Sequence, residues 1–200
     1  MENNILKAIE DLKQGKMIIV TDDINRENEG DIVILAEKIT EAAMTFMAKK
    51  ASGLICLAID SNLAKKLELD LMVQNNQESM KTAFTISIDA RYGITTGISA
   101  FDRTKTILDT VNPNVIPYDL VRPGHIFPLI AKDGGLFERR GHTEASVALA
   151  NLAECQPAAV ICEIMGDDGK MLRGQALKDF SKLHHLLLIS IEEIVNFLKR

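Results

Sequence analysis

Residues 23–31 carry an unusual concentration of reactive groups, with four carboxylates and one guanidinium within nine positions of a 200-residue chain. Glu27, Glu29 and Asp31 occupy alternate positions, and Arg26 precedes them. Carboxylate oxygens are good ligands for a divalent cation. Carboxylates held close together also repel each other, which raises their pKa values and suits them to proton transfer. The stretch therefore predicts a metal or acid/base site, although an exposed charged loop has the same composition.

A second group, RRGHTE at residues 139–144, lies just before a predicted helix. The free N–H groups at a helix start, two guanidiniums and the hydroxyl of Thr143 all favour an anion such as phosphate. The imidazole of His142 could also bind a metal. A basic, exposed helix start without a ligand explains the same residues equally well.

Three isolated residues are further candidates. His125 follows the turn-like sequence RPG and could be a general acid or base, or simply a hydrogen-bonded core residue. Glu163 lies in the apolar tract 158–164, where burial would raise its pKa, whereas a position on an exposed strand face would leave it inert. Cys56 lies in an apolar run and is predicted to be a small core residue rather than a nucleophile.

Composition limits the class of protein. With 46% hydrophobic residues the chain can form a sizeable core, and we expect one domain covering residues 1–200. The net charge of −5 gives no electrostatic reason to expect nucleic acid or an anionic membrane as a partner. Apolar tracts are much shorter than the roughly 18 residues of a membrane span. Three dispersed cysteines and the absence of an apolar leader after Met1 predict a cytoplasmic protein.

Helix and strand patterns alternate along the chain and must position these residues. Apolar runs predict strands at residues 17–20, 31–35, 54–59, 84–89, 125–131 and 158–164. Helical periodicity and capping residues predict helices ending at residue 15, at 40–50, 62–67, 102–109 and 143–153, and after Ser190. The amide-rich segment 69–81 is expected to be an ordered loop or an excursion near the site. The fold class is therefore α/β of the α+β type, a mixed sheet with helices packed around it.

Five blocks of sequence together resemble the 3,4-dihydroxy-2-butanone 4-phosphate synthase family of riboflavin biosynthesis. They are DDINRENEGD at 22–31, ITTGISAFDRTKTI at 94–107, RPGHIFPL at 122–129, RRGHTEASVALA at 139–150 and AAVICEIM at 158–165. The resemblance implies a lyase that converts D-ribulose 5-phosphate into 3,4-dihydroxy-2-butanone 4-phosphate and formate. It also implies Mg²⁺ or Mn²⁺ as cofactor and a homodimer with active sites near the subunit interface.

The resemblance also implies roles for individual residues. Glu27 and His142 would hold the metal ion. His125 and Glu163 match positions that the family needs for catalysis, and Glu29 and Asp31 would share the proton transfers. The residues implied to contact the sugar phosphate are Arg26, Glu27, Asp31, Arg139, Arg140, Gly141, His142, Thr143 and Glu163. One departure is Ala148, where the family usually has an aspartate, and we interpret it as a scaffold difference.

Two alternative functions remain open from the residues. A metal-dependent sugar-phosphate isomerase or aldolase would need the same phosphate and metal ligands. A phosphosugar-binding regulatory module would need only residues 139–143 and would have no use for Glu29, His125 and Glu163. Fusion to a GTP cyclohydrolase II, frequent in this family, is not expected because the three cysteines form no zinc cluster and the chain ends at Arg200.

Overall fold

Short apolar runs form seven strands of one central sheet in the computed structural model, which describes residues 2–200. The strands are β1 (Ile18–Thr21), β2 (Gly30–Leu35), β3 (Cys56–Ile59), β4 (Ile88–Ala90), β5 (Leu120–Ile130), β6 (Ala158–Glu163) and β7 (Leu187–Ser190). Their order is β4-β5-β3-β6-β2-β1-β7. The pairs β1/β7 and β3/β5 are parallel and the other neighbours antiparallel, so the sheet is mixed, as predicted.

Within residues 2–200, seven α-helices surround this sheet. They are α1 (Glu2–Lys13), α2 (Glu41–Phe46), α3 (Ser61–Lys66), α4 (Ala100–Thr110), α5 (His142–Leu152), α6 (Gly174–Leu183) and α7 (Ile191–Leu198). A π-helical turn, Met47–Ala51, extends α2 to about the predicted end. Thr40, Ser99 and Ser190 cap α2, α4 and α7 by accepting a hydrogen bond from the backbone N–H three residues later, as their sequences predict.

The helices lie in two layers because successive strand residues point to opposite faces of the sheet. Ile19 and Ile32 belong to a buried cluster that includes Met44 near the end of α2. Ile18 and Val33, one position away on the same strands, belong to a second cluster with residues of α1, α5 and α7. The sheet is therefore covered on both faces within a single compact domain.

Two strands differ from the prediction. β4 is shorter and later than the expected 84–89, and β5 begins at Leu120 rather than at His125. β5 includes Pro123, which is joined to Arg122 by a cis peptide bond. The register of β4 against β5 shifts between Ile88 and Asp89, so β5 residues 122–125 form a bulge. A bulge tolerates proline because no ladder hydrogen bond is required there.

Helix α6 and strand β7 are absent from the elements predicted above. Leu177 is buried and Phe180, three residues later, packs against the same core, so helical spacing in α6 was an available signal. β7 is defined by its parallel pairing with β1, which lies at the other end of the chain. Within residues 2–200, the helices are all too short or too polar to cross a bilayer.

Candidate active site

The connection between β1 and β2, residues 22–29, lies beside a polar cavity of about 190 Å³. The cavity is lined by Arg26, Glu27, Glu29, Asp31, Cys56, Glu78, Thr82, Phe84, Leu129, Arg139, His142, Thr143, Ile161 and Glu163. A larger cavity of about 610 Å³ is lined mainly by residues 71–84 and has Glu78 as its one described carboxylate. The smaller cavity brings together most of the predicted site residues, so we place the candidate active site there.

Asp22 organises the acidic loop, and the sequence analysis did not identify it. Its side chain is buried, and Oδ2 accepts hydrogen bonds from Arg26 Nη1 at 2.9 Å and Glu27 N at 3.0 Å. Oδ1 accepts from Glu29 N at 2.8 Å. Three bonds to one carboxylate fix the backbone that carries Glu27 and Glu29. An aspartate directly after a strand, followed by a polar loop, was the available signal.

Glu27, His142 and Asp22 form a cluster in which one potential ligand atom from each lies within 4.8 Å of the others. His142 Nδ1 lies 3.9 Å from Glu27 Oε2 and 3.6 Å from Asp31 Oδ1. That Asp31 oxygen is buried and has no hydrogen-bond partner among residues 2–200. Carboxylate oxygens and an imidazole nitrogen suit a divalent cation, and an unpaired buried oxygen is costly without one. The residues therefore fit a metal ion.

His142 is available as a ligand because its ring is neutral. Burial lowers the pKa of His142 to about 4, and the nearby Arg26 and Arg139 contribute in the same direction. The opposing charge of Asp22 is not enough to reverse the shift. At pH 7 the ring therefore keeps a free lone pair, as metal binding requires.

Asp31 and Glu163 add two carboxylates with raised pKa values. Burial raises the pKa of Asp31 well above its usual range, and the charge of Glu163 raises it further. Burial also raises the pKa of Glu163, against a hydrogen bond of 2.8 Å from Leu54 N to Oε2. Gly53 allows this close approach, since a Cβ there would lie 2.7 Å from Glu163 Oε2. Glu163 thus lines the cavity rather than an exposed strand face.

Glu29 is held from the opposite end of the chain. Arg173, just before α6, donates from Nη2 to Glu29 Oε1 at 2.5 Å and from Nε to Glu27 O at 3.3 Å. Burial raises the pKa of Glu29, although the Arg173 charge partly offsets this effect. Arg173 was not among the predicted site residues because no local pattern links residue 173 to residue 29.

The basic group before α5 divides into residues inside and outside the cavity. Thr143 and Arg139 line it, whereas Arg140 is exposed and is not among the described lining residues. Arg139 donates to the buried Glu144 at 2.6 Å, to Thr82 Oγ1 at 2.8 Å and to Met80 O at 3.2 Å. Its charge is therefore partly neutralised, and it ties the 69–81 segment to the site.

Gly141 precedes His142 and is the N-cap residue of α5. Its predicted contact with a phosphate would come from the backbone, since the first N–H groups of a helix are free to bind an anion. Together with Thr143, this helix start forms the side of the cavity best suited to a phosphate group.

His125 and Cys56 have different environments. Cys56 lines the cavity, and burial raises the pKa of its thiol far above the usual range. Its side chain is therefore an uncharged part of the cavity lining. His125 is not among the described lining residues and instead pairs with Asp89. β5 is separated from β6 by β3, so His125 lies two strand spacings, about 10 Å, from the strand of Glu163. Its catalytic role stays a prediction.

The cavity combines carboxylates with raised pKa values, a neutral imidazole, guanidinium groups and a helix N-terminus. These groups can together bind a divalent cation and a small anionic molecule and can transfer protons. This is the chemistry of a metal-assisted enzyme acting on a phosphorylated metabolite.

Comparison with known proteins is consistent with that class. The family model of 3,4-dihydroxy-2-butanone 4-phosphate synthase matches residues 6–197, so the chain belongs to this family. The chain is 46% identical over 193 residues to a 3,4-dihydroxy-2-butanone 4-phosphate synthase of Chromobacterium violaceum, covering 96% of the chain and 92% of that protein. A solved structure of 3,4-dihydroxy-2-butanone 4-phosphate synthase in complex with two magnesium ions superposes with a TM-score of 0.93. It is 39% identical and covers 98% of this chain and 96% of that chain.

Other relatives are longer. The chain is 52% identical over 197 residues to the riboflavin biosynthesis protein RibBA of Aquifex aeolicus (strain VF5), covering 98% of this chain but 48% of that protein. It likewise spans about half the length of two relatives from Staphylococcus epidermidis, 49% of each.

Proposed function

We propose that this chain converts D-ribulose 5-phosphate into 3,4-dihydroxy-2-butanone 4-phosphate and formate as a lyase of riboflavin biosynthesis. The observation that carries the proposal is the position of Asp31 and Glu163 beside the possible metal ligands Glu27 and His142 in one cavity. Family membership favours this reaction over a sugar-phosphate isomerase or aldolase. The two products together contain all atoms of the substrate, so the reaction needs proton transfers but no redox partner.

Glu27 and His142 would hold Mg²⁺ or Mn²⁺ through a carboxylate oxygen and a neutral imidazole nitrogen. When bound, the cation supplies positive charge beside the substrate oxygens where negative charge develops. Asp22 has both oxygens occupied by Arg26 and two backbone N–H groups. We therefore assign Asp22 the role of orienting Glu27 rather than that of a principal ligand.

Thr143, Gly141 and Arg139 would bind the phosphate at the start of α5, and Arg26 faces the sugar from the acidic loop. Arg139 already pairs with Glu144, so the helix N-terminus and the Thr143 hydroxyl have a larger share of phosphate binding than the sequence suggests. The side chain of Arg140 is exposed and would contact the substrate only after turning toward the cavity, so this contact remains a proposal.

Several groups are needed for proton transfer because the reaction combines enolisation, loss of a hydroxyl group, rearrangement and release of formate. Glu163 and Asp31 are suited to exchange protons because burial raises the pKa values of both carboxyl groups. Glu29 is held by Arg173 at the edge of the same cavity. His125 would be a further acid/base group if another copy of the chain brings it to the site.

We propose a homodimer for this reason. The segment after Gly97 carries two exposed apolar side chains, Ile98 (54% exposed) and Phe101 (49%). Gly97, next to Ile98, is in close contact with His125. A second copy packed on this surface would bury these side chains and place His125 near a neighbouring cavity. The proposed cytoplasmic location accords with three free cysteines, and the partner would be D-ribulose 5-phosphate rather than nucleic acid or membrane.

A direct assay tests the reaction. Purified protein with D-ribulose 5-phosphate and Mg²⁺ should release formate in a 1:1 ratio with the four-carbon phosphate. An isomerase would give only another pentose phosphate, and an aldolase would give two carbonyl fragments without formate. Mixing inactive Glu163→Gln and His125→Gln proteins should restore part of the activity if sites are shared between subunits, and no recovery would remove the shared site from the proposal.

A further inference from the structure

Asp89 on β4 holds His125 at two points. Its Oδ1 accepts a hydrogen bond from the backbone N–H of His125 at 2.9 Å, and its Oδ2 lies 2.7 Å from ring atom Nδ1. An ionised carboxylate can only accept hydrogen bonds, so the proton of a neutral ring must be on Nδ1. Nε2 then keeps its lone pair and is the ring atom left for another molecule.

The two partners differ in their exposure. The Asp89 side chain is 8% exposed, whereas the His125 side chain is 40% exposed. The pair lies at the bulge of β5, where residues 122–125 have no regular pairing with β4. The bond from His125 N to Asp89 therefore replaces a missing ladder bond and fixes the backbone as well as the ring.

The segment 95–99 packs against this pair. Gly97 has a φ of +94°, and a Cβ at this position would overlap Asp89 Oδ2 and His125 Nδ1. The segment is fixed to α4 because Asp102 accepts from Gly97 N at 3.1 Å and from Thr95 N at 3.0 Å. Asp102 is itself buried. The pair is thus enclosed on the Asp89 side and open on the His125 side.

We propose that Asp89 is a positioning residue that holds His125 in the tautomer with a free Nε2, so that this nitrogen can accept a proton during the reaction. The inference rests on the proposed function, because His125 needs a reaction to serve. In this arrangement the buried Asp89 carboxylate fixes the imidazole of the partly exposed His125. An acid that orients a histidine in this way prepares the ring to act as a base. Asp89 does not touch the substrate in this scheme.

The test uses Asp89→Asn in the full chain. The asparagine oxygen can still accept from His125 N, but its amide can only donate to Nδ1, which forces the proton onto Nε2. We expect kcat to fall by about 10²-fold or more with KM within about twofold, because the proton-accepting atom is lost while substrate contacts remain. Asp109→Asn on α4, which pairs with Lys105 and not with His125, is the matched control and should keep wild-type kcat.

Nitrogen-15 NMR of the histidine rings supplies the readout independent of activity. The chain has four histidines, so His125 can be assigned from the signals lost in His125→Gln. We expect the Nδ1–H form in the wild type and the Nε2–H form in Asp89→Asn. An Nε2–H ring in the wild type would overturn the proposal even if Asp89→Asn does not fold. A switched tautomer with kcat equal to that of the control would overturn it as well.

Failure of the proposed function gives a different result. The wild-type protein would then release no formate whatever the tautomer of His125. In that case Asp89 would have no catalytic step to support. A wild type that releases formate and has the Nδ1–H ring, together with a slow, folded Asp89→Asn variant, supports both.

Discussion

Asp31 on β2 lies directly opposite Glu163 on β6 in the register of the central sheet. Both side chains line the candidate active site, and the charge of Glu163 adds to burial in raising the pKa of Asp31. Two carboxylates on adjacent strands with few counter-charges favour binding a proton. This pair is therefore the part of the cavity best suited to hold and transfer a proton.

Replacing Glu163 by glutamine should nearly abolish catalysis in a folded protein. The amide keeps the size and can still accept from Leu54 N, but it cannot transfer a proton. We expect kcat to fall by about 10²–10⁴-fold with near-native affinity for D-ribulose 5-phosphate. Formate release and thermal melting measure the two effects, and Glu192→Gln on the exposed face of α7 is the control. Formate production within threefold of wild type would exclude Glu163 from catalysis.

Replacing Asp31 by asparagine should stabilise the metal-free protein while removing activity. The folded-state pKa of Asp31 is raised, so the native state binds more protons than the unfolded state above about pH 4. Its contribution to stability is therefore present at low pH and is lost as pH rises through the folded pKa. Urea denaturation with chelator should show a stability gain of Asp31→Asn that grows as pH rises above about 4. A gain that shrinks over this range would contradict the shift.

Chelation should abolish activity, and added Mg²⁺ or Mn²⁺ should restore it. The paramagnetic resonance of Mn²⁺ can measure binding without turnover, and Glu27→Gln should weaken it by tenfold or more, at about 1.4 kcal/mol per tenfold. Glu138→Gln, an exposed residue outside the cluster, should bind Mn²⁺ like the wild type. Full turnover in excess chelator would remove the metal from the proposed reaction.

Arg139→Ala should impair both stability and substrate binding, whereas Thr143→Val should impair binding alone. The Glu144 side chain is 1% exposed, and loss of Arg139 leaves its charge without a counter-ion. Removing one partner of a buried ion pair costs about 3–5 kcal/mol, which urea denaturation would detect. The exposed neighbour gives a matched control, because Arg140→Ala should change stability by less than about 0.5 kcal/mol.

In the same variants, KM for D-ribulose 5-phosphate should rise about tenfold in Thr143→Val and at least as much in Arg139→Ala. Steady-state formate kinetics measure this change. Wild-type KM in both variants would place the phosphate away from the start of α5.

Arg173→Met should loosen the acidic loop without unfolding the domain. The change removes the bonds to Glu29 Oε1 and Glu27 O while keeping most of the side-chain length. We expect weaker Mn²⁺ binding and faster amide hydrogen exchange across residues 22–29, with partial recovery in Arg173→Lys. Lys178→Met, at an exposed position on α6, is the control. If amide exchange in residues 22–29 is equally fast in Arg173→Met and Lys178→Met, Arg173 does not hold the loop.

The amino-acid sequence determined the local features of this protein. Apolar runs marked β1, β2 and β6, and hydroxyl residues marked the starts of α2, α4 and α7. These features depend on contacts between residues a few positions apart, which a sequence pattern can represent. The same is true of the acidic loop, whose composition alone predicted a metal or acid/base site.

Tertiary structure decided which residues complete the site. Asp22, Asp89 and Arg173 act through hydrogen bonds set by strand register and helix docking, and Arg173 lies 144 positions from Glu29. Packing also directed Arg139 onto Glu144 and placed His125 two strands from Glu163. Local patterns cannot specify such pairings, because the order of the strands in the sheet follows from burial of both faces over the whole chain.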